Sequence, residues 1–532
     1  MNRDLAVLFI PVKIGSAVIK NRFVFPAMCT YYSDDRGSMT PRIREFIRAR
    51  AQGGAGLIIL PGTPYGPGSK GRPAISDDSH ISGWQDIKEI VSEQGASLFC
   101  QLHPSKIYAS DGRRIEMPEE FTVEEIGNLI QLYAEGAARA RKAGLDGVEI
   151  PASHKHEIAK FLSPFYNRRT DGYGGGLEGR SRYAREMIRA IKKAAGSDFP
   201  VIFRLSVAEL VTGGREVAES AQLARLLEEA GADAIHADIG SPGASQWVTA
   251  PMEVIPGFTI HLVSQIKRAV SIPVIAVGRI NDPCLAARIV SEGSADLITM
   301  GRALLADPDL PRKAQEGDLN LIRPCIACDQ GCRAADVKQG IFCLQNPLAG
   351  REGTLRFSPV LPGNRKKILI AGAGPAGLEA ACILSERGHD VKVYEQEGQA
   401  GGKLLLAARP PHKDAMLAVI RYRLDRLRRA GVEVNLNSPV DVKTVETVKP
   451  DVVIIATGSS PALPDFPLRG SAVYSADEIL SGELPSGSRI LVLGGGMVGC
   501  EIADYLAEKG LQVDIVEQLP DLAGALNKPR RK

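Results

Sequence analysis

The stretch Asp296-Leu297-Ile298-Thr299-Met300 decides the fold, because it is the eighth short apolar run along the chain. The seven runs before it are Phe23–Phe25, Gly56–Leu60, Ser97–Leu102, Gly147–Ile150, Val201–Leu205, Ala234–Ala237 and Pro273–Val277. Segments with apolar residues at helical spacing, such as 221–230, lie between the runs. Eight strand–helix units predict an α/β fold with an N-terminal (β/α)8 TIM barrel. An open doubly wound sheet has the same alternation, but no glycine-rich turn follows the first run to favour it.

Two Gly-Arg pairs directly follow the last two predicted barrel strands. Gly278-Arg279 comes after the seventh strand and Gly301-Arg302 after the eighth. Barrels commonly bind a phosphate group at this place, so the pairs predict a phosphate site. Arg204, at the end of the fifth strand, can bring positive charge to a cofactor ring. The alternative for each arginine is an ordinary surface ion pair.

Two glycine-rich turns in the last third of the chain indicate a second, Rossmann-like region. Each turn follows a predicted strand, in the stretches Lys366–Gly377 and Arg489–Gly499. Glu395 and Glu517 each lie 23 residues after the first glycine of their turn. The glycines let the backbone approach a pyrophosphate, and each acid can accept a hydrogen bond from a ribose hydroxyl. The Glu517 carboxylate would repel a 2′-phosphate, which favours NADH over NADPH.

A cysteine cluster follows the predicted barrel with the spacing C-x2-C-x3-C-x10-C, formed by Cys325, Cys328, Cys332 and Cys343. Four thiolates on one short segment are the ligands that an iron–sulfur cluster requires. Pro324 and Gly331 favour tight turning around it. Zinc is the alternative, although a second C-x2-C pair, usual in four-cysteine zinc sites, is absent from this sequence.

Composition excludes several classes of protein. Of the 532 residues, 44% are hydrophobic and 24% are charged, which is the balance of an ordinary globular protein. Lys+Arg exceed Asp+Glu by only 65 − 62 = 3, so charge predicts no binding to nucleic acid or to a membrane surface. No run of about 18 apolar residues predicts a membrane span. The N-terminus lacks the apolar core of a signal peptide, and we expect a cytoplasmic location.

With these motifs in place, the chain resembles the multidomain relatives of old yellow enzyme. These are the 2,4-dienoyl-CoA reductases, 2-enoate reductases and trimethylamine dehydrogenases. The resemblance runs from about residue 8 to about 525, and its most specific stretches are Phe161–Gly175, Val277–Ile280 and the cysteine cluster. It implies FMN in the barrel, a 4Fe–4S cluster on the four cysteines, FAD on the first glycine turn and NADH or NADPH on the second.

The resemblance also implies cofactor contacts, position by position. The residues that match FMN contacts are Pro26, Ala27, Met28, Gly62, Gln101, Arg204, Gly278, Arg279, Gly301 and Arg302. Those that match FAD contacts are Gly372, Gly374, Ala376, Gly377, Glu395, Gly402, Lys403 and Gly458. Those that match nicotinamide-cofactor contacts are Gly494, Gly496, Gly499 and Glu517.

Cys29, Tyr31, His154 and His156 stand at or next to catalytic positions of the family. Cys29, next to Tyr31 in the stretch Met28–Tyr31, resembles a cysteine that hydrogen-bonds the flavin in some single-domain relatives. The alternative for Cys29 is a small buried residue, because unpaired cysteine is usually buried. After the fourth strand, His154 matches the second histidine of the family pattern H-x-x-H-x-Y, which grips the substrate carbonyl.

The chain departs from that pattern at two positions, since Pro151 replaces the first histidine and His156 replaces the tyrosine that gives a proton. An imidazolium can donate a proton near neutral pH, so His156 is predicted to take the place of the tyrosine. The alternative is that His156 is only a polar loop residue.

A further departure is the position of the last residue. Lys532 lies 33 residues after Gly499, whereas the family continues for roughly a hundred residues that complete both nucleotide domains. We therefore expect the Rossmann-like region to be incomplete, with weakened binding of FAD and NADH and with exposed sheet edges. The tail at 527–532 resembles a linker or a frame-changed end.

The predicted organisation has five segments. They are 1–324 as the FMN-binding barrel, 325–347 as the 4Fe–4S segment, 348–365 as a linker, 366–487 as part of the FAD-binding domain, and 488–532 as the start of the NAD(P)H-binding domain.

The resulting hypothesis is an NAD(P)H-dependent flavin oxidoreductase that reduces the activated C=C bond of an unsaturated acid or acyl thioester. Electrons would pass from FAD through the 4Fe–4S cluster to FMN. One alternative is amine oxidation like that of trimethylamine dehydrogenase, with electrons passed to a partner. Another is a shortened chain that is inactive or needs a partner, and a homo-oligomer is left open.

Overall fold

The computed structural model describes residues 3–64, 71–104, 107–108, 112–461 and 472–524, so the predicted tail at 527–532 lies outside the described residues. Compactness divides the chain into two units. The first comprises Met1–Pro251, Ile255–Leu319 and Asp329–Thr354. The second comprises Met252–Val254, Asn320–Cys328 and Leu355–Lys532. This division does not test the five functional segments, which stay predictions.

The strands of the described residues are numbered in chain order. They are β1 (Val12–Ile14), β2 (Ala17–Ile19), β3 (Phe23–Phe25), β4 (Leu57–Gly62), β5 (Ser97–Leu102), β6 (Ile107–Tyr108), β7 (Arg114–Ile115), β8 (Gly147–Ala152), β9 (Val201–Ser206), β10 (Ala234–Asp238), β11 (Val274–Ala276), β12 (Leu297–Thr299), β13 (Lys367–Ala371), β14 (Asp390–Tyr394), β15 (Val434–Asn435), β16 (Val452–Ile455), β17 (Arg489–Leu493) and β18 (Gln512–Val516).

The α-helices follow the same numbering. They are α1 (Pro41–Gln52), α2 (Ile81–Ser92), α3 (Val123–Lys142), α4 (Glu157–Leu162), α5 (Leu177–Ala195), α6 (Val217–Glu229), α7 (Ser245–Val248), α8 (Ile260–Ala269), α9 (Pro283–Ser291), α10 (Gly301–Ala306), α11 (Leu310–Glu316), α12 (Pro375–Glu386), α13 (Lys403–Ala407), α14 (Ala415–Arg429), α15 (Val442–Val448), α16 (Ala476–Ser481) and α17 (Met497–Glu508).

The first unit contains a closed barrel of eight parallel strands, in the order β3-β4-β5-β8-β9-β10-β11-β12 and back to β3. Each predicted apolar run forms one of these strands, which confirms the (β/α)8 barrel. The strands are buried almost throughout, because the barrel interior covers one face and the helices cover the other. Strands buried on both faces appear in the sequence as continuous apolar stretches, so the eight strands could be counted from the sequence.

A short hairpin closes the amino-terminal end of the barrel. β1 and β2 pair antiparallel, and Ile14 and Ile19 belong to the same buried cluster as Val24, Leu57 and Phe99 from the barrel strands. The apolar ends of the strands are thereby shielded from water. The opposite, carboxyl end of the barrel remains for polar side chains.

The segment Asp329–Thr354 packs into the first unit through polar contacts. Glu352 makes a 2.5 Å ion pair with the fully buried Arg50 of α1, and the hydroxyl of Tyr32 donates to the carbonyl oxygen of Ile341. The predicted linker at 348–365 thus begins within a packed part of this unit.

The second unit contains a four-stranded parallel sheet, in the order β15-β14-β13-β16, with an apolar cluster between the sheet and helices α12 and α14. A separate two-stranded parallel sheet joins β17 and β18. β13–α12–β14 and β17–α17–β18 are the two copies of the predicted strand–turn–helix unit. The Rossmann-like class of this region is confirmed.

Apolar side chains are exposed on the β17–β18 pair. Leu491, Leu493 and Val516 are each more than half exposed. In the described residues β17 pairs with β18 alone. Among the helices described, none has the length and apolar character that crossing a membrane would require.

Candidate functional site

The residues predicted to contact FMN lie at or just beyond the carboxyl ends of the barrel strands. Pro26, Ala27 and Met28 follow β3, Gly62 ends β4, Gln101 lies in β5, Arg204 lies in β9, Gly278 and Arg279 follow β11, and Gly301 and Arg302 follow β12. A Cβ on Gly301 would lie 2.9 Å from Cγ of Pro26 and 3.3 Å from Sδ of Met28. The turn after the last strand therefore packs against the turn after the first. A Cβ on Gly62 would instead overlap Sγ of Cys100, which is a packing reason for that glycine.

Four side chains from four strands form a hydrogen-bonded network inside the barrel. Nε2 of Gln101 donates to Oε1 of Glu149 at 2.6 Å, and Oε2 of Glu149 lies 2.6 Å from Nδ1 of His236. Nε2 of His236 lies 2.8 Å from Oγ1 of Thr299. Burial alone would raise the pKa of Glu149, but attraction to His236 and Arg204 lowers it. The network holds an ionised carboxylate beneath Gln101 and thereby orients the amide that is predicted to contact FMN.

A second group joins Arg204 and His154 through one carboxylate. Nε and Nη2 of Arg204 lie 2.8 and 2.6 Å from Oδ2 of Asp238, and Nε2 of His154 lies 2.9 Å from the same oxygen. Burial would raise the pKa of the fully buried Asp238, but the charges of His154 and Arg204 hold it far below its usual range. The alternative considered for Arg204 was a surface ion pair. Arg204 does form an ion pair, but the pair is buried.

Three histidine rings meet at the carboxyl end of the barrel. The ring of His156 packs edge-on against that of His103, with centroids 4.4 Å apart, and its centroid lies 6.4 Å from that of His154. Burial, together with the charges of His103, His154 and Arg204, lowers the pKa of His156 well below its usual value. Burial and the nearby Arg72 lower the pKa of His103 to about 4. These effects disfavour the imidazolium form of His156, and its role as a proton donor stays a prediction.

Cys29 and Tyr31 share a neighbour that the sequence did not reveal. The guanidinium carbon of Arg72 lies 5.7 Å from the centroid of the Tyr31 ring, and the nearby Cys29 and Tyr31 raise the pKa of Arg72. Cys29 is partly buried. The structure thus brings the two residues together through Arg72, while their catalytic role stays a prediction.

Of the predicted phosphate-binding arginines, Arg279 lies in a constrained turn and Arg302 is the second residue of α10. Gly278 has a φ of 157°, and a Cβ there would overlap the hydroxyl oxygen of Thr259. Arg279 is left-handed, with a φ of 56°. Nη1 of Arg302 lies 2.6 Å from Oδ1 of Asp329, so this guanidinium is already paired on one side.

A narrow pocket with no room for a water molecule lies beside His154, between the segments that follow β8, β9 and β10. Its lining residues are His154, Ala159, Lys160, Tyr166, Ser206, Glu209, Arg215, Gly240, Ser241 and Pro242. His154 itself is left-handed, with a φ of 59°, and its backbone N–H donates to Oγ of Ser206 at 3.3 Å. These two features turn the segment after β8 towards β9 and bring the imidazole to the pocket.

The first glycine turn of the second unit has the geometry of a dinucleotide-binding loop. Gly372 has a φ of 104°, and a Cβ on Gly377 would overlap its carbonyl oxygen, so close packing of α12 on the turn requires glycine. No described atom lies within 4 Å of a Cβ built on Gly374, which leaves that face open to a ligand. Oε2 of Glu395 accepts a hydrogen bond from the N–H of Ala373 at 2.8 Å.

The second glycine turn repeats these contacts. Gly494 has a φ of 99°, and a Cβ on Gly499 would overlap its carbonyl oxygen. Glu517 accepts hydrogen bonds from the N–H groups of Leu519 and Gly495, both at 2.8 Å, and these bonds lower its pKa. Each predicted acid therefore first stabilises its own turn, and its bond to a ribose stays a prediction.

The other residues predicted for the nucleotides lie around these turns. A Cβ on Gly402 would lie 3.2 Å from Cα of Gly374, which places the two glycines side by side. Nζ of Lys403 forms an ion pair of 2.8 Å with Asp477. Gly458 is left-handed, with a φ of 83°, just beyond β16. Ala376 lies in the exposed first turn of α12, and Gly496 comes directly before α17.

The four clustered cysteines are each partly buried. Cys325 and Cys328 belong to the second unit, and Cys332 and Cys343 to the first. The N–H of Gln345 donates to Sγ of Cys343 at 3.4 Å, a contact that suits a thiolate. Within the described ranges, no three His, Cys, Asp or Glu side chains are placed to hold a single metal ion. Their binding of a 4Fe–4S cluster stays a prediction.

Sequence reasoning missed several residues of this site. Glu149 and His236 were visible as charged residues in the middle of apolar strands, which is a usable signal. Asp238 ends such a strand and could have been found in the same way. Arg72 and His103 carry no local signal, because only the closure of the barrel brings them to the other residues.

Comparison with known proteins matches both halves of the chain. Residues 7–320 match the NADH:flavin oxidoreductase / NADH oxidase family, and residues 366–532 match pyridine nucleotide-disulphide oxidoreductase. An NADH oxidase of Thermoanaerobacter brockii is 39% identical, over 97% of this chain and 83% of that protein. A cinnamate reductase of Clostridium sporogenes is 33% identical, over 98% and 84%. A solved structure of 2-naphthoyl-CoA reductase with 2-naphthoyl-CoA superposes with a TM-score of 0.92 at 29% identity, over 99% and 86%.

Proposed function

The chain belongs to the NADH:flavin oxidoreductase / NADH oxidase family, and from that premise we propose that it reduces the activated C=C bond of an enoate or enoyl thioester. It is an oxidoreductase, and its two matched regions imply FMN, FAD and NAD(P)H as cofactors. The observation that carries the proposal is the pairing of His154 with Asp238 and Arg204, beside the residues predicted for FMN. The likeness to a cinnamate reductase supports an unsaturated acid as the acceptor.

The residues at the carboxyl end of the barrel fit FMN by their donor chemistry. Gln101 and Arg204 would hold the ring system, and the turns at Gly278–Arg279 and Gly301–Arg302 would hold the phosphate. When bound and reduced, FMN supplies a hydride to the β-carbon of an activated alkene, while a proton is added to the α-carbon. The protein must therefore polarise the carbonyl, orient the alkene and allow a proton to reach one carbon.

His154 is proposed to polarise the substrate carbonyl. Nε2 of His154 lies 2.9 Å from Oδ2 of Asp238 without hydrogen-bond geometry, so the carboxylate acts on the imidazole through its charge. An N–H of the His154 ring would donate to the carbonyl oxygen of the substrate. Arg204 shares the same carboxylate oxygen and keeps the Asp238 side chain in place.

Water is proposed to supply the proton. His156 stands at the family's tyrosine position, but burial above all lowers its pKa well below the usual value and disfavours its charged form. A neutral imidazole can orient a water molecule by hydrogen bonding without losing a proton itself. In this proposal His156 positions the water, in contrast to the direct donation expected from the sequence.

For the rest of the electron path we propose that Cys325, Cys328, Cys332 and Cys343 hold a 4Fe–4S cluster, supported by their spacing and by the hydrogen bond to Cys343. We also propose NADH as the preferred donor, since the Glu517 carboxylate disfavours a 2′-phosphate. Iron and acid-labile sulfide analysis of the purified protein tests the first statement. Relative rates of flavin reduction by NADH and NADPH test the second.

The central experiment follows the flavin absorbance of the purified protein under anaerobic conditions. NADH should bleach the flavin, and cinnamate or an enoyl thioester should then restore it. H154A should slow the restoration by about 10²-fold, the usual contribution of a positioned acid–base group. The matched control H261A alters an exposed histidine of α8 and should leave the rate unchanged.

Two results would contradict the proposal. One is reduced flavin that no unsaturated acid, thioester or enone reoxidises. The other is reduction of the flavin by trimethylamine without any nicotinamide, which would instead support the alternative of amine oxidation.

A further inference from the structure

Arg50 is a buried cation whose neighbours satisfy only part of its guanidinium. It lies near the end of α1 with none of its surface exposed, and its guanidinium carbon lies 3.5 Å from the centroid of the Phe46 ring. Nη1 donates to the carbonyl oxygen of Phe46 at 2.8 Å and pairs with Oε1 of Glu352 at 2.5 Å. Nε and Nη2 are also buried, and neither has a hydrogen-bond partner among the described residues. Because unpaired charged donors are costly to bury, these two nitrogens suit an anionic partner.

The loop 340–350, which carries Cys343, folds around a side chain that packs next to Arg50. The first and last residues of this loop are glycines, and a Cβ on either would overlap the side chain of Tyr32. The Tyr32 ring packs edge-on against that of Phe46, with centroids 5.4 Å apart, and Arg50 stacks on the same Phe46 ring. The packing of Tyr32 and Phe46 therefore brings the loop of Cys343 to the part of α1 that carries Arg50.

The electrostatic surroundings of Arg50 include Cys343 itself. Burial lowers the pKa of Arg50, whereas the negative charges of Glu352 and Cys343 act to raise it. An arginine stays charged in a folded protein, so the guanidinium is a permanent positive charge. The Glu352 side chain is 10% exposed and that of Arg50 is 0% exposed, so water screens the carboxylate more than the guanidinium. A predicted cluster ligand thus lies within the field of a buried cation.

An iron–sulfur cluster has the chemistry that this guanidinium suits. Its sulfurs are negatively charged hydrogen-bond acceptors, and its reduction potential depends on net charge, on hydrogen bonds to those sulfurs and on exposure to solvent. The reduced cluster carries one more negative charge than the oxidised cluster, so a nearby cation stabilises the reduced form more. The N–H of Gln345 already donates to Sγ of Cys343 at 3.4 Å, and a guanidinium would add charged donors.

We propose that Arg50 is the counter-charge of the 4Fe–4S cluster and raises its reduction potential. Nε and Nη2 would donate to sulfur at the Cys343 side of the cluster. The higher potential would help the cluster to accept single electrons in the transfer proposed from FAD to FMN. This inference rests on the proposed cluster site and adds to it a residue far from the four cysteines in the sequence.

The test measures the midpoint potential of the cluster in the full-length protein, by anaerobic redox titration followed by electron paramagnetic resonance. R50Q should lower the equilibrium constant for cluster reduction by about 10-fold, the cost of a hydrogen bond to a charged group, which is about 59 mV for one electron. R50K keeps the charge and should lose less than about 3-fold. E352Q removes the opposing negative charge and should shift the potential upward. R44Q removes a charge from the same helix, at a side chain that is 40% exposed, and is the matched control.

The opposite signs of the two shifts separate an electrostatic role from a structural one. A residue that only supports the fold would lower the iron content in R50Q and E352Q alike, without moving the potential of the remaining clusters in opposite directions. Iron and sulfide analysis of each variant measures that content.

A second measurement uses the protein without any change of residue. In protein labelled with ¹⁵N-arginine, electron–nuclear double resonance of the reduced cluster should show a ¹⁵N coupling that R50K removes. Absence of this coupling, or equal potentials in wild type, R50Q and E352Q, would overturn the role of Arg50 while the cluster still stands. Wild-type protein without iron or the resonance of a reduced cluster would instead refute the proposed cluster, and this inference with it.

Discussion

Glu157 is the residue whose protonation is most open to a direct test. It begins α4, directly after His156, and it is buried, with 8% of its surface exposed. Burial raises its pKa to about 7, although a 2.6 Å hydrogen bond from the hydroxyl of Tyr133 opposes the rise. We predict that E157Q stabilises the protein at alkaline pH, because glutamine keeps the shape and can still accept from Tyr133 without carrying a charge.

The magnitude follows from the difference between the folded and the unfolded pKa. The ordinary value is 4.5, so the carboxyl binds more protons in the folded state between that value and about 7. Stability therefore falls as the pH rises through this window, and the loss is complete above it. A shift of this size corresponds to about 3 kcal/mol above pH 7 and to about 1 kcal/mol at about pH 5. E157Q should be more stable than wild type by these amounts.

Tryptophan fluorescence suits the assay, because both tryptophans, Trp84 and Trp247, lie in the same unit as Glu157. Urea unfolding of wild type and E157Q at about pH 5 and about pH 8.5 gives the two free-energy differences by linear extrapolation. E292Q, which changes an exposed glutamate of the same unit, controls for the loss of one charge. A stability gain that does not grow with pH, or that E292Q reproduces, would refute the reasoning.

Three further outcomes are expected. D238N should lower kcat/KM for alkene reduction by about 10²-fold and leave the FMN content unchanged, because asparagine lacks the charge that holds the imidazole of His154 in place. Reoxidation kinetics measure the first quantity and flavin absorbance the second. E352Q should lower the free energy of unfolding by about 3–5 kcal/mol in the same fluorescence assay, because it leaves the fully buried guanidinium of Arg50 without its ionised partner. G377A should abolish retention of FAD on gel filtration, because the added Cβ would overlap the carbonyl oxygen of Gly372.

The barrel was predictable because its signal is local. Each strand is a short apolar run followed by a helical pattern, and buried parallel strands need no alternation that distant residues could disturb. The two glycine turns were predictable for a similar reason, since φ values of 104° at Gly372 and 99° at Gly494 require a residue type that the sequence displays. The packing of Asp329–Thr354 into the first unit was not predictable, because the contact of Glu352 with Arg50 spans 302 residues.

The positions of the site residues were predicted better than their protonation. His154 and Arg204 were named from the sequence, and the structure brings them to one carboxylate. The lowered pKa of His156 could not be inferred, because it depends on burial and on His103 and Arg204, which come from distant parts of the sequence. The pKa of a histidine reflects burial and the charges around it, and neither is a property of its own sequence neighbourhood.

Two acids close to these histidines also show that the neighbours of a buried group decide the direction of its pKa shift. Asp238 and Glu157 are both buried carboxyls, and burial alone would raise the pKa of each. Asp238 faces His154 and Arg204, so its pKa falls and it stays ionised, whereas Glu157 faces a phenol and its pKa rises. Because carboxyls in contrasting environments take different protonation states at one pH, the ionised Asp238 can hold His154 by its charge, and Glu157 cannot do the same for the adjacent His156. His154 therefore has an ionised carboxylate beside it and His156 does not, which is why carbonyl polarisation is assigned to the first and water positioning to the second.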